Sequence, residues 1–407
     1  MQKIKINKNQ FKFLDKDFPE YATREQIEDE IKRLSTLSKY YYNKQWSEKT
    51  IINASYGALA SKYFVGFNLA VASSVTEMGR NIVKYGAEIL DNYFLNYWHK
   101  DKQLHQKLGL LGEPAKLTKS VLRYGDTDSV YFSLEELVAD LSSRKLLPQK
   151  YLDDLRDLIL DINQYRLTDY IEQGYQEYAK KFNTKNIQKF ELEYILSNAI
   201  LLAKKKYVGD IAWMEGDGKV DKEKLKITGV EIVQSSTPKF CREKLKWIIS
   251  YIFKNVDNFS VSDFLVELNK IKNEFKQQDV ENISYSKSIG DYEKFILEDK
   301  IEFKIAKGCP IHVRGAGYHN YLLNTSKKYK NKYKQIKTSD KIKMYYSKDP
   351  LCNIFSFYAG DHPYELAPEI DIDLQFEKSI IDPINRLMIP LGLGTIKPTL
   401  VTSKALF

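Results

Sequence analysis

Apolar positions near the start of the sequence recur at the spacing of an α-helix. Thr23 and Gln26 match a capping box, and the pattern after them predicts a helix over about residues 23–64. A second helical stretch is predicted over about residues 68–97. The apolar positions of the first helix fall on one face: Ile27, Ile31, Leu34, Leu37 and Tyr41. The chain is therefore expected to contain a pair of long helices here.

Strand-like runs replace this pattern in the middle of the sequence. Residues 121–124 and 129–132 flank a short turn, which predicts a β-hairpin. Residues 134–188 are mainly helical in pattern. Strand candidates then return over residues 189–202, 206–214 and 226–232.

The rest of the sequence is predicted to be rich in helix. The string Ser235-Ser-Thr-Pro-Lys predicts a helix start, with Ser236 or Thr237 as its cap and Pro238 in its first turn. Residues 308–317 are expected to be less regular. A helical hairpin, a mixed middle and a mostly helical end together predict the α+β fold class.

Composition narrows the class of protein. The 407 residues suffice for two or three domains, and 43% are hydrophobic, so a folded core is expected. The net charge of +9 permits a polyanionic partner. Three cysteines without Cys-x-x-Cys spacing exclude a disulfide scaffold and a zinc ribbon. The sequence lacks an apolar run of membrane length and a secretory signal, so we expect an intracellular, cytoplasmic protein.

The strongest chemical signal is the string Tyr124-Gly125-Asp126-Thr127-Asp128-Ser129 between two predicted strands. A hairpin turn here would direct the carboxylates of Asp126 and Asp128 toward one place. Mg²⁺ prefers hard oxygen ligands and leaves room for water and phosphates. Two such ions about 4 Å apart serve phosphoryl and nucleotidyl transfer. The alternative is a β-turn rich in glycine and aspartate without catalytic function.

The complete string resembles motif C of the family B DNA polymerases, in particular those of T-even-type phages. Upstream, Lys49-Thr-Ile-Ile-Asn-Ala-Ser-Tyr-Gly57 resembles motif B, the fingers helix that holds the incoming nucleotide. Lys49, Asn53 and Tyr56 fall on one helical face. The resemblance implies that Lys49 meets the triphosphate and helps to protonate the leaving group, while Asn53 and Tyr56 line the new base pair. Gly57 would allow a close approach to the backbone. An ordinary amphipathic helix is the alternative.

Two downstream segments resemble the part of the palm that holds the primer end. Glu193 matches a palm carboxylate near the metal ions. Lys205 and Tyr207 match the family's Lys-x-Tyr motif, which contacts the primer–template near its 3′ end. The alternatives are a surface glutamate and a solvated basic edge strand.

Further segments resemble the thumb and the tail of the family. Thr237 and Lys239 would contact phosphate at the palm–thumb junction, where a capped helix start is the alternative reading. Within residues 309–315, the resemblance implies that His312 and Arg314 contact phosphate. The alternative for His312 is a buried structural role. Leu406 and Phe407 resemble an apolar tail that docks a sliding clamp, or are a frayed terminus.

The resemblance implies an organisation and a set of partners. Residues 1–62 would be a leader and the second fingers helix, 63–235 the C-terminal part of a palm with an antiparallel sheet, and 236–407 a mostly helical thumb with its tail. Two Mg²⁺ ions, with Mn²⁺ as a possible substitute, primer–template DNA and dNTPs are implied. Asp128 would coordinate both metals directly, and Asp126 would act in the outer shell or through water.

The family's motif A, an Asp followed by Ser-Leu-Tyr-Pro-Ser, does not occur in the sequence. The first fingers helix and the exonuclease domain have no counterpart either. We therefore expect a split polymerase, with a second chain that carries these parts and packs on the apolar face of residues 27–41. If the source is a phage, the location is the host cytoplasm.

Two other functions compete with the split polymerase. One is a non-catalytic DNA-binding or clamp-tethering subunit of a replication complex, although such a subunit has no use for paired carboxylates facing DNA phosphates. The other is a reverse transcriptase, although those enzymes place their two aspartates side by side, and here Thr127 intervenes.

Overall fold

The structure, a computed structural model, describes residues 3–6, 14, 17–297 and 302–401. Leu406 and Phe407 lie outside these ranges. The chain divides into two compact units, Met1–Ile89 with Thr127–Tyr131, and Leu90–Asp126 with Phe132–Phe407. The division into 1–62, 63–235 and 236–407 stays a prediction.

The first unit contains a strand pair and the two long helices. Strands β1 (Ile4–Lys5) and β2 (Tyr21–Ala22) pair antiparallel. Helix α1 (Arg24–Leu59) begins with the predicted capping box, in which the backbone N–H of Gln26 donates to Thr23 Oγ1 at 3.3 Å and the Thr23 N–H donates to Gln26 Oε1 at 2.9 Å. Helix α2 (Leu69–Asn92) continues into a π-helical turn. Both predicted helices are confirmed, although α1 ends before residue 64.

The second unit opens with short helices and with β3, the first strand of motif C, whereas residues 127–131 belong to the first unit. The partly buried carboxylate of Asp101 links several of these segments, because it caps α3 and also accepts hydrogen bonds from Arg166 Nη2 at 2.8 Å and the Tyr93 hydroxyl at 2.9 Å. The mainly helical character predicted for residues 134–188 is confirmed. The elements are α3 (Lys102–Leu108), β3 (Leu122–Asp126), β4 (Ser129–Phe132), α4 (Glu135–Ser143), α5 (Gln149–Asp153), α6 (Leu155–Ile162) and α7 (Thr168–Lys181).

An antiparallel sheet follows, with β6 at its centre. Strands β5, β7 and β8 all pair with β6. The three predicted strand regions are confirmed, but the first starts only at Tyr194 and the last ends at Thr228. The strands are β5 (Tyr194–Ala203), β6 (Lys206–Met214), β7 (Gly218–Lys219) and β8 (Leu225–Thr228).

The cap predicted for the next helix is wrong. Helix α8 (Lys239–Asn255) has Pro238 at its N-cap and no side-chain capping bond. The Thr237 hydroxyl instead donates to the backbone carbonyl of Glu231 at 2.6 Å, which closes the loop before the helix. Helix α9 (Val261–Lys276) then packs with α8 in one apolar core.

The C-terminal part is rich in helix, as predicted, but it also contains a sheet that the sequence analysis missed. Strand β12 pairs antiparallel with β13 and with β9. The irregular stretch predicted at 308–317 is also wrong, since a helix begins at Ile311. The elements are α10 (Val280–Ile283), β9 (Tyr285–Ser288), α11 (Tyr292–Phe295), β10 (Ile296–Leu297), β11 (Lys304–Ile305), α12 (Ile311–Thr325), β12 (Lys341–Tyr346), β13 (Ile354–Phe357), α13 (Ile372–Phe376) and α14 (Asp382–Met388).

The glycines of α12 explain that error. They lower intrinsic helix propensity, but here they allow the helix to lie close to its neighbours. A Cβ on Gly315 would stand 2.6 Å from Ser356 Oγ and 2.8 Å from Ile354 Cγ2 of β13. Tertiary packing therefore overrides local propensity. The α+β class is confirmed, while the palm, fingers and thumb assignments stay predictions. In the described ranges, no helix is long and apolar enough to span a membrane.

Gly315→Ala is expected to destabilise this packing by about 1–3 kcal/mol, because the added methyl group meets β13 and overpacks the contact. Gly290→Ala is the matched control, since a Cβ there meets nothing within 4 Å. The guanidinium midpoint of unfolding measures both effects. Equal midpoints for the two variants would contradict the close approach of α12 to β13.

His362 predicts acid sensitivity in the same region. Its ring lies 4.6 Å from Phe357 and 4.4 Å from Tyr364, centroid to centroid, and its buried nitrogens have no hydrogen-bond partner among the described residues. Burial lowers the pKa of His362, and the carboxylates of Asp279 and Glu281 offset this only in part.

The unfolded chain therefore binds a proton at about pH 6.5, before the folded chain does, and stability should fall as the pH drops below that value. In His362→Phe, the difference between the melting temperatures at pH 7.5 and pH 5.5 should shrink. A variant that keeps the full wild-type difference would show that another group causes the acid sensitivity.

Candidate active site

The motif C string folds as the strand–turn–strand succession that the sequence predicts. Strand β3 ends at Asp126, Thr127 and Asp128 form the turn, and β4 begins at Ser129. Asp128 is exposed, whereas the Asp126 side chain retains only 19% of its accessible surface. The two carboxylates thus lie in different surroundings.

The turn between β5 and β6 lies against β3. The backbone N–H of Lys205 donates to the Tyr124 hydroxyl at 2.7 Å, and Lys205 Nζ lies 3.9 Å from Asp126 Oδ2. The first strand of motif C and the Lys-x-Tyr motif therefore meet, although 81 positions separate Tyr124 from Lys205. The ammonium group partly balances the Asp126 charge, an effect that exposure of the lysine side chain keeps modest.

Tyr207 occupies the interior side of this contact. It retains 8% of its accessible surface, and its ring centroid lies 6.0 Å from that of Tyr124. The ring therefore packs against the Tyr124 ring of β3. Of the two residues that the sequence assigns to the Lys-x-Tyr motif, Lys205 is the one that is exposed.

The chemistry of the turn suits a hard cation, but the donor set is incomplete. Its ligands are carboxylate oxygens, and Mg²⁺ commonly takes one or two of these. In the ranges that the structure describes, no group of three or more His, Cys, Asp or Glu could hold a metal ion. Glu193 is exposed just before β5, and its backbone carbonyl accepts a hydrogen bond from the Glu215 N–H at 3.0 Å.

The motif B residues lie on α1, as their spacing predicts. Lys49, Asn53 and Tyr56 are exposed on this helix. A Cβ on Gly57 would meet nothing within 4 Å among the described residues, so none of them is the close neighbour that was expected there. Throughout α1, Glu30 is the one buried residue.

The junction residues differ in accessibility. Thr237 is buried and its hydroxyl donates to the Glu231 carbonyl, whereas Lys239 is exposed in the first turn of α8. A phosphate at this helix start could therefore be reached by the lysine more readily than by the threonine hydroxyl.

The two thumb candidates lie in the first turn of α12. His312 is half-buried, and burial, followed by the charge of Lys287, lowers the pKa of its imidazole. Arg314 Nη2 donates to Asn353 Oδ1 at 2.9 Å, so part of the guanidinium is already used. His312 is thus favoured in its neutral form, which suits a hydrogen bond better than charge pairing with phosphate.

Comparison with known proteins gives the context of these residues. The model of DNA polymerase family B matches residues 21–143, which include the motif B and motif C strings. The DNA-directed DNA polymerase of Enterobacteria phage T4 is 26% identical over 296 residues, which cover 70% of this chain and 30% of that protein. That of Escherichia phage RB69 is 26% identical over 328 residues, 75% of this chain and 33% of that protein.

The chain is related to the family B DNA polymerases of the T4 type. A DNA polymerase catalytic subunit of human herpesvirus 7 is also similar, with 26% identity over 215 residues, 53% of this chain and 17% of that protein. The chain spans about a third of the length of the phage polymerases that it matches. The resemblance inferred from motif C is therefore confirmed at the level of the family.

Proposed function

We propose that this chain supplies motifs B and C and the thumb of a DNA-directed DNA polymerase, which adds dNTPs to a primer 3′ end. One observation carries the proposal: the motif C strand and the Lys-x-Tyr turn meet, with Lys205 Nζ 3.9 Å from Asp126 Oδ2. A motif C carboxylate beside a basic turn suits a place where metal-bound phosphates and a primer backbone lie close together. The relation to polymerases of the T4 type supports the same function.

Asp128 is proposed as the direct metal ligand. It is exposed, whereas Asp126 is mostly buried and faces the Lys205 ammonium, which favours an outer-shell or water-mediated role for Asp126. When bound, two Mg²⁺ or Mn²⁺ ions would activate the primer 3′-hydroxyl for attack on the α-phosphate and stabilise the leaving pyrophosphate. Glu193 is a weaker candidate for a further ligand, since it is exposed and lies just before β5.

Three residues on one face of α1 are proposed to hold the incoming nucleotide. Lys49 would neutralise charge on the triphosphate and help to protonate the leaving group, and Asn53 and Tyr56 would line the new base pair. Lys205 would contact the primer strand, while the buried Tyr207 packs against the Tyr124 ring nearby. Lys239, His312 and Arg314 would contact the duplex further away, through a lysine charge and hydrogen bonds.

We further propose that a second polypeptide completes the site. The sequence holds no motif A, so the remaining metal carboxylate must come from residues outside it. The apolar side chains of α1 are unusually exposed, with 60% of Ile31 and 62% of Trp46 accessible. A helix from the second polypeptide would cover them. A sliding clamp is proposed as a further partner, through Leu406 and Phe407.

Primer extension tests this function. The purified chain should give no product with a primer–template, dNTPs and Mg²⁺, and should give product when a polypeptide from the same source that carries motif A is added. Robust synthesis by the chain alone would refute the need for a second polypeptide. DNA binding without synthesis in the complete mixture would refute the polymerase and leave a DNA-binding subunit.

A further inference from the structure

Lys205 has a backbone conformation that lysine rarely adopts. It is the second residue of the two-residue turn between β5 and β6, and its φ is +60°. This left-handed region is disfavoured for residues with a Cβ, and turns usually place glycine or asparagine there. Strained backbone of this kind persists only where its surroundings enforce it, and it is often found at functional sites.

The end of β8 is one of the surroundings that enforce it. Thr228 pairs with Tyr207, so the following residue, Gly229, is brought against the turn. A Cβ on Gly229 would stand 1.9 Å from the Lys205 carbonyl oxygen and 3.0 Å from its carbonyl carbon. These are backbone atoms, which cannot rotate away as a side chain can. The Lys205 peptide can therefore occupy its position only if residue 229 lacks a side chain.

Strand β3 holds the same peptide from another direction. The Tyr124 hydroxyl accepts the Lys205 N–H at 2.7 Å, and Asp126 Oδ2 lies 3.9 Å from Lys205 Nζ. The amide, the carbonyl and the ammonium of one lysine thus each lie next to a different neighbour, and the amide is held by a hydrogen bond. Gly229 itself contributes only the lack of a side chain, which the close approach of the Lys205 carbonyl requires.

We propose that Gly229 is a positioning residue. Its lack of a side chain allows Lys205 to lie beside the motif C strand, where the lysine contacts the primer–template. The DNA contact in this inference rests on the proposed function, whereas the position of Lys205 against Gly229 does not. A side chain at position 229 would push the Lys205 carbonyl away, weaken the bond to Tyr124 and move the ammonium from its place near Asp126.

Gly229→Ala tests the geometry, with Gly218→Ala as the matched control. Gly218 also has a positive φ, +76° against +63° for Gly229, but a Cβ there meets nothing within 4 Å. Both variants thus carry the same kind of backbone penalty, and only one carries the clash. Hydrogen exchange read by mass spectrometry on peptides that cover residues 203–207 should be faster in Gly229→Ala and unchanged in Gly218→Ala. Unchanged exchange in Gly229→Ala would overturn the inference.

DNA affinity tests the consequence. Fluorescence anisotropy with a labelled primer–template should show a dissociation constant about fivefold higher for Lys205→Ala and for Gly229→Ala, with a shallower salt dependence in both, and no change for Gly218→Ala. If Gly229 acts through Lys205, the double variant should bind no more weakly than Lys205→Ala. Multiplied effects in the double variant would overturn the positioning role.

Failure of the proposed function gives a different result. If Lys205→Ala leaves affinity unchanged while Gly229→Ala still speeds exchange over residues 203–207, the lysine does not contact DNA, and the proposed role of Lys205 falls. If Lys205→Ala weakens binding and Gly229→Ala does not, the lysine contacts DNA without the help of Gly229, and the positioning role falls.

Discussion

Asp128→Ala is expected to abolish nucleotide addition in the mixture of this chain and a motif A polypeptide. A metal ion stabilises the transition-state charge by several kcal/mol, so loss of its direct ligand should lower the rate of synthesis by about 10³-fold or more. DNA affinity should stay the same or increase slightly, because a negative charge is removed next to phosphates. Single-nucleotide primer extension measures the rate, and anisotropy measures the affinity.

Asp126→Ala is the informative control for that variant. Asp126 faces Lys205 and keeps little exposed surface, so its loss should act as an outer-shell change, with a decrease of about 10- to 100-fold. Near-normal synthesis by Asp128→Ala would exclude it as the direct ligand. A larger loss in Asp126→Ala than in Asp128→Ala would reverse the assignment of the two carboxylates.

Short-range signals explain which parts of the fold could be predicted. The capping box of Thr23 and Gln26 is complete within four residues, and it places the start of α1 correctly. The β5 and β6 regions are bounded by turn residues and rich in strand-forming side chains, and both strands form. In these places local preference and tertiary structure agree.

The missed sheet depends on contacts that the sequence pattern does not display. Strand β13 is buried along its whole length, and a short continuous apolar run does not distinguish a strand from a buried helix. Its partner β12 also pairs with β9, more than fifty residues earlier in the chain. Thr237 fails as a cap for a related reason, since its hydroxyl donates its hydrogen bond to the Glu231 carbonyl instead of facing the helix start.

The candidate site also combines residues that local sequence predicts with contacts that it does not. The residues of motifs B and C are identified by short strings, so they could be named from the sequence alone. The hydrogen bond between Tyr124 and Lys205 joins segments far apart in the chain, and no short sequence motif predicts it. Gly229 carried a weak signal, since a glycine inside a predicted strand, here residues 226–232, often marks a close backbone approach, but its neighbour could not be named.

Phe275→Ala is expected to have the largest effect on stability, about 3–5 kcal/mol. Phe275 lies on α9 with none of its surface exposed. Its ring contacts Phe240 of α8 at 5.9 Å and Phe376 of α13 at 5.3 Å, both edge to face. The truncation therefore opens a cavity where three helices meet and removes two aromatic contacts, each of which adds about 0.5–1.5 kcal/mol beyond area burial.

Val266→Ala on the same helix provides the comparison, since 49% of Val266 is exposed and its loss should change stability by no more than about 0.5 kcal/mol. Phe275→Leu should fall between the two, because it keeps apolar volume but loses the ring contacts. Guanidinium unfolding followed by circular dichroism ranks the three variants. If Phe275→Ala and Val266→Ala unfold at the same midpoint, the α8, α9 and α13 core does not limit stability, and the free energy that holds this unit together resides elsewhere.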